Sequence, residues 1–307
     1  VTNKTLFRRI TLVALVAGVL AITTSSPTGA SAYPGANGRI VFSSSRTGNF
    51  DLYTALPSGK GVKRITRTKN GEEGQAVFSP NGKKIAFTSN RNGNDEIYVS
   101  KADGSQAVNV TKNSAADAMP NWSSDGKRLV FTSNRNGGLQ LWVMKANGTK
   151  PVNLFPGGVE PSWSPDGTKI AFTNSDPGGT ASTDIYVINA DGTGLINLSN
   201  DAGTNSHYAT WSPDGTSIAF VSDRSGTDQI WVMTVDGANP VMITNSNEQS
   251  TAPAWSPNNK LIAFIANRGG SSAVYTMKTD GTGLSRITGN DTSSNDLPNW
   301  QPLPRRR

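Results

Sequence analysis

Trp163-Ser164-Pro165-Asp166-Gly167 recurs unchanged as Trp211-Ser212-Pro213-Asp214-Gly215, and in looser form at Phe78 to Gly82, Trp122 to Gly126 and Trp255 to Asn259. A partial sixth copy, Trp300-Gln301-Pro302, stands near the end of the chain. Successive leading aromatics are 44, 41, 48, 44 and 45 residues apart, the length of one propeller blade. Outward from this block lie three further series. Phe42, Phe87, Phe131, Phe172, Phe220 and Phe264 close short apolar runs such as Ile170-Ala171-Phe172. Tyr53, Tyr98, Trp142, Tyr186, Trp231 and Tyr275 sit beside Leu, Ile or Val, and a last series ends in Ile65, Val110, Leu154, Leu198, Ile243 and Ile287. Each repeat therefore supplies four short strands, the content of one blade.

The turns predict how the strands pair. Pro-Asp-Gly joins strands one and two, and Asp-Gly or Asn-Gly joins strands three and four, supplying the positive φ that tight hairpins need. The first copy begins at its second strand, Arg39 to Ser43, while Pro298 to Leu303 is an orphan first strand at the other end. The expected fold is all-β: a six-bladed propeller over residues 37 to 303 whose first blade is closed by the carboxyl-terminal strand.

Composition removes several mechanisms. The chain of 307 residues has no Cys and one His, His207, so disulfides, thiol nucleophiles and His-cluster metal sites are excluded. The formal net charge of +7 resides in the termini: without Lys4, Arg8, Arg9 and Arg305 to Arg307, 23 bases face 22 acids. Nucleic acid is not an expected partner. Residues 1 to 32 read as a signal peptide: a basic start, an apolar run from Ile10 to Ile22 and the small-residue site Ala30-Ser31-Ala32. That run spans about 20 Å against a hydrocarbon core of about 30 Å, so no stable membrane insertion is expected after cleavage. The mature chain is expected to be periplasmic or extracellular and monomeric, ending in a basic tail at 304 to 307.

The series Pro-x-Trp-Ser-Pro-Asp-Gly, Ile-Ala-Phe, Ser-x-Arg-x-Gly, Ile-Tyr-Val and Asp-Gly resembles the repeat of the TolB-like β-propellers over residues 37 to 303. The resemblance implies the fold and points to binding of envelope proteins, as in TolB with a peptidoglycan-associated lipoprotein and Tol-system partners. TolB carries an α/β domain before its propeller, whereas about five residues separate the expected cleavage site from the first blade here. This propeller type also precedes serine peptidase domains, but the chain has no Gly-x-Ser-x-Gly segment.

The repeat acts as its own control, because a residue type present in every blade is structural and one present once is a candidate for function. The Trp series reads as core packing, and Arg46, Arg91, Arg135, Arg224 and Arg268 as braces of the blades. His207 and Tyr208 break the pattern. The strand-four-to-strand-one loops are expected to form an acidic mouth opposite the tight turns. Glu73, Asp117, Glu160, Glu248 and Asp296, with His207 and Tyr208, are the candidate binding residues. As exposed loop acids they should be dispensable for folding. No cofactor is required, although the mouth could hold calcium. The function expected is a non-catalytic module binding a protein or cell-envelope polymer. The alternatives are a calcium-dependent hydrolase or lactonase, with His207 as base, and a carbohydrate-binding protein.

Overall fold

A computed structural model describes residues 33–175, 182–201, 203–268, 270–289 and 293–304. The expected signal peptide and Arg305 to Arg307 lie outside them. The described residues form six four-stranded antiparallel sheets. Five blades use four consecutive strands. The first consists of Asn295–Leu303, Ala36–Ser44, Asp51–Ala55 and Lys63–Arg64, with the carboxyl-terminal strand innermost. Both strands of that closure are nine residues long, longer than the sequence pattern indicated.

The two aromatic series turn out to be one set of cross-strand partners. Phe42 lies opposite Tyr53, Phe87 opposite Tyr98, Phe131 opposite Trp142 and Phe220 opposite Trp231. The Phe87 and Tyr98 rings stack at 5.8 Å, the offset arrangement that aromatic pairs favour. Every Phe of the series is fully buried. The indoles join blades: Trp122, Trp211, Trp255 and Trp300 donate Nε1–H to the carbonyls of Val77, Ser162, Thr210 and Ala254 of the preceding blade, at 3.1 to 3.2 Å. Blade 2 carries Phe78 at this place and has no indole donor there.

Turn chemistry fixes the blade corners. Asp166 Oδ1 accepts from Ser164 Oγ at 2.6 Å and from Thr168 N at 3.0 Å, an Asx-type turn repeated at Asp125 and Asp214. Gly104 is required twice over. Its φ is +83°, and a Cβ would lie 2.0 Å from the carbonyl oxygen of Ile65 in the neighbouring blade.

Candidate binding site at the propeller mouth

Each innermost strand starts at the mouth and contains a bulge, marked by a register shift and a left-handed residue three places before its leading aromatic: Gln75, Met119, Glu160, Tyr208, Ala252 and Leu297 have φ between 53° and 59°. Nothing in the residue types announces this conformation, since none is Gly. The bulge turns these residues toward the next blade. Gln75 Oε1 accepts from Met119 N at 2.9 Å, and Glu160 Oε2 accepts from Tyr208 N at 3.0 Å and Thr173 Oγ1 at 2.7 Å.

The candidates separate into three groups. Glu73 and Asp117 open their innermost strands and are completely buried, which corrects the expectation of exposed loop acids. Arg91 binds Glu73 and Arg135 binds Asp117, the latter with Nη2 at 2.7 Å from both carboxylate oxygens. Each Arg also donates Nε–H to a strand-end Ser at 2.9 Å and lies over the blade's aromatic pair, Arg135 at 4.6 Å from the Trp142 ring. Arg46, Arg91, Arg135 and Arg224 brace their blades by hydrogen bonds, as expected, whereas Arg268 lies over the Tyr275 ring at 5.6 Å with its Nε buried and without a hydrogen-bond partner. Ser206 and Asn295 hold the acidic residue's place opposite Arg224 and Arg46. In blade 4 Gly158 takes it, and the ring of Phe155 packs on Phe172 at 5.3 Å.

Glu248 forms the second group by itself, exposed on its loop, where its carbonyl accepts from Ser246 Oγ at 2.7 Å. Glu160, His207, Tyr208 and Asp296 form the third. Tyr208 is buried, and its phenol is pushed well above its ordinary range by burial, then by the negative charges of Glu160 and Asp296. Burial pushes the carboxyls of Glu160 and Asp296 up to about 7 each. His207 is partly exposed, with its ring edge-on to Tyr208 at 4.7 Å. Burial lowers its pKa, against an opposing pull from Asp228 and Asp223.

Sequence reasoning missed other residues around the mouth. Leu139, just before the third strand of blade 3, packs with Ala118, Met119 and Val159. Asp95 and Asp228 occupy the equivalent place in blades 2 and 5, and their carbonyls accept from Asp117 N and Ser250 N at 2.9 Å. The mouth is thus bordered by an apolar arc on blades 3 and 4 and a polar arc of His207, Asp228, Thr251, Asp296 and Asp95. Asp95 is only 4% exposed, its Oδ1 has no protein hydrogen-bond partner, and burial together with the charge of Glu72 raises its carboxyl to about 7. Thr251 Oγ1 is likewise buried without a protein partner. The signal available in the sequence was the residue two places before each third-strand Ile or Leu, which changes character from blade to blade. Among the described residues no three His, Asp or Glu side chains converge as a metal site.

The family model of the TolB β-propeller domain matches residues 68–159 and 150–305. The chain belongs to the TolB β-propeller family. No curated protein matches its sequence. TolB from Acinetobacter baumannii superposes with a TM-score of 0.76 at 24% identity, over 86% of this chain and 67% of that one. A chain of a nidogen/laminin complex aligns at 0.70 and 12% identity, over 86% and 98%. An oligogalacturonate lyase in complex with manganese aligns at 0.54 and 14% identity, over 83% and 74%. At these identities the likeness is one of fold, a fold that serves both binding and catalysis. In this family member the repeated residues are accounted for by packing, turns and braces, and the variable ones gather at the mouth. No helix among the described residues is long and apolar enough to cross a membrane.

Proposed function

We propose that this propeller is an exported, monomeric, non-catalytic module that takes a protein or cell-envelope polymer at its mouth. The division of the mouth into an apolar arc around Leu139 and a polar arc of Asp228, Asp296, Asp95 and His207 carries the reading. Such a border suits a partner surface that is part apolar and part basic, with the apolar contact contributing affinity and the charges register. The candidate set moves accordingly. Glu73 and Asp117 are committed to arginine, whereas Asp228, Asp296, His207 and Leu139 remain available.

Capture from envelope extract tests this with a triple variant, Leu139→Asn, Asp228→Asn and Asp296→Asn. It should fold like the parent and lose the captured partner. Equal recovery by parent and variant sinks the mouth as the binding surface. Calorimetry with calcium on the same pair detects a mouth that holds a cation. An enzyme using His207 as base would lose turnover by orders of magnitude in His207→Ala, whereas a binding face would lose affinity modestly.

A further inference from the structure

Every innermost strand has a sheet neighbour on one side only, which leaves its other backbone edge facing the axis. Side chains of adjacent blades cap these edges along the channel. Asn121 Oδ1 accepts from Trp163 N at 3.0 Å and Asn299 Oδ1 from Phe78 N at 2.8 Å, below the bonds of Gln75 and Glu160 near the mouth. At the tight-turn end the cap comes from outside the repeats. Gly35 N donates to the carbonyl of Pro257 in blade 6 at 3.0 Å, and a Cβ on Gly35 would lie 2.6 Å from the carbonyl oxygen of Leu303. The segment is held tightly between blades 6 and 1. Two residues earlier the hydroxyl of Tyr33 donates to the carbonyl of Trp122, the last innermost residue of blade 3. In a ring of six, blade 3 stands opposite blade 6, so the segment reaches across the axis.

Tyr33 is 5% exposed and belongs to one apolar cluster with Val77, Trp122, Ala254 and Trp300. Those four stand at the turn-face ends of the innermost strands of blades 2, 3, 6 and 1. Burial, with the charge of Asp125 as a lesser cause, pushes its phenol well above the ordinary range, so it remains a hydrogen-bond donor. We propose that Tyr33 is the plug of the axial channel: its ring closes the tight-turn end and its hydroxyl anchors it across the axis, making the channel a blind well open only at the mouth. A ligand at the mouth then meets a floor and cannot thread the disc. The plug holds whether or not the mouth is the partner surface, because it rests on the opposite end of the channel.

The chain has no Cys, and Val77 is only 5% exposed although the mouth is open, so Val77→Cys in the full chain provides a single buried thiol in the plug's own cluster. A charged methanethiosulfonate reagent should modify it slowly, about tenfold or more faster once Tyr33→Ala is added, and slowly again when p-cresol refills the slot. Tyr33→Phe, which keeps the ring and loses the anchor, should stay near the slow rate. Circular dichroism melts separate opening from unfolding, and Tyr33→Leu replaces Tyr33→Ala if the latter does not fold. Equal labelling with and without Tyr33, or acceleration that p-cresol does not reverse, overturns the plug.

Discussion

Blades 3 and 4 close the same gap at the mouth by opposite chemistry. In blade 3 the buried carboxylate of Asp117 meets Arg135, and that guanidinium covers the Phe131 ring at 5.3 Å. In blade 4 the acid has become Gly158, and Phe155 covers Phe172. A Cβ on Gly158 would lie 2.5 Å from the Phe172 ring, so the acid and this aromatic packing exclude each other. An ion pair and an apolar plug are interchangeable here. The acids of this place therefore serve blade closure, and the search for function moves inward to the residues that no brace occupies.

The largest effect on this comparison should come from Arg135→Ala, which takes the countercharge from the wholly buried Asp117 carboxylate and leaves it the Asn113 amide as side-chain donor. The expected loss is about 3–5 kcal/mol, the range for removing one partner of a buried pair, read as a lower midpoint in urea. A loss below 1 kcal/mol would mean that water enters freely and blade 3 does not depend on the pair. Next comes Phe155→Ala. It uncovers Phe172 and removes a partly buried ring, at about 2 kcal/mol. If it matches a surface substitution, the aromatic plug is no substitute for the brace. Gly158→Asp should cost about 1–3 kcal/mol by overpacking and by its φ of +84°.

The smallest effect sharpens the contrast between braced and unbraced acids. Glu160, held up to about 7 in the fold against its ordinary 4.5, binds its proton more tightly folded than unfolded. Its contribution to stability is therefore present below pH about 4.5 and fades as pH rises toward about 7. Asp95 and Asp296 act in the same direction. Glu160→Gln keeps an oxygen acceptor for Tyr208 N and should flatten part of this slope while melting at or above the parent at pH 8. Thermal melts between pH 5 and 8 decide it, and a slope unchanged by the substitution assigns the dependence to other groups.

Much of this brace was already visible in the repeat. Glu73 precedes Arg91, and Asp117 precedes Arg135, by the same 18 residues, and Ser206 precedes Arg224 by 18 as well. A constant spacing across copies marks a contact within the blade. The acids read as loop residues because the bulge after them interrupts the alternation that would have shown them to be strand. Leu139 and Asp95 escaped notice for a different reason. They belong to the mouth only because successive blades turn them toward one axis, and no local pattern records that convergence.

The primary sequence by itself determined the blade. Aromatic positions at a blade-length period, Asp-Gly corners and an orphan strand at the carboxyl end specify four strands, their pairing and the closure, because these depend on contacts within one repeat or between equivalent places of adjacent repeats. Tertiary structure decided which polar groups are spent and which remain. Burial is a property of the closed ring: Glu73 and Asp117 lose water when a neighbouring blade covers them, Tyr33 when blades 3 and 6 face each other across the axis. A charge's hydration and partners depend on what stands beside it in space, and for these residues closure of the ring supplies that neighbour.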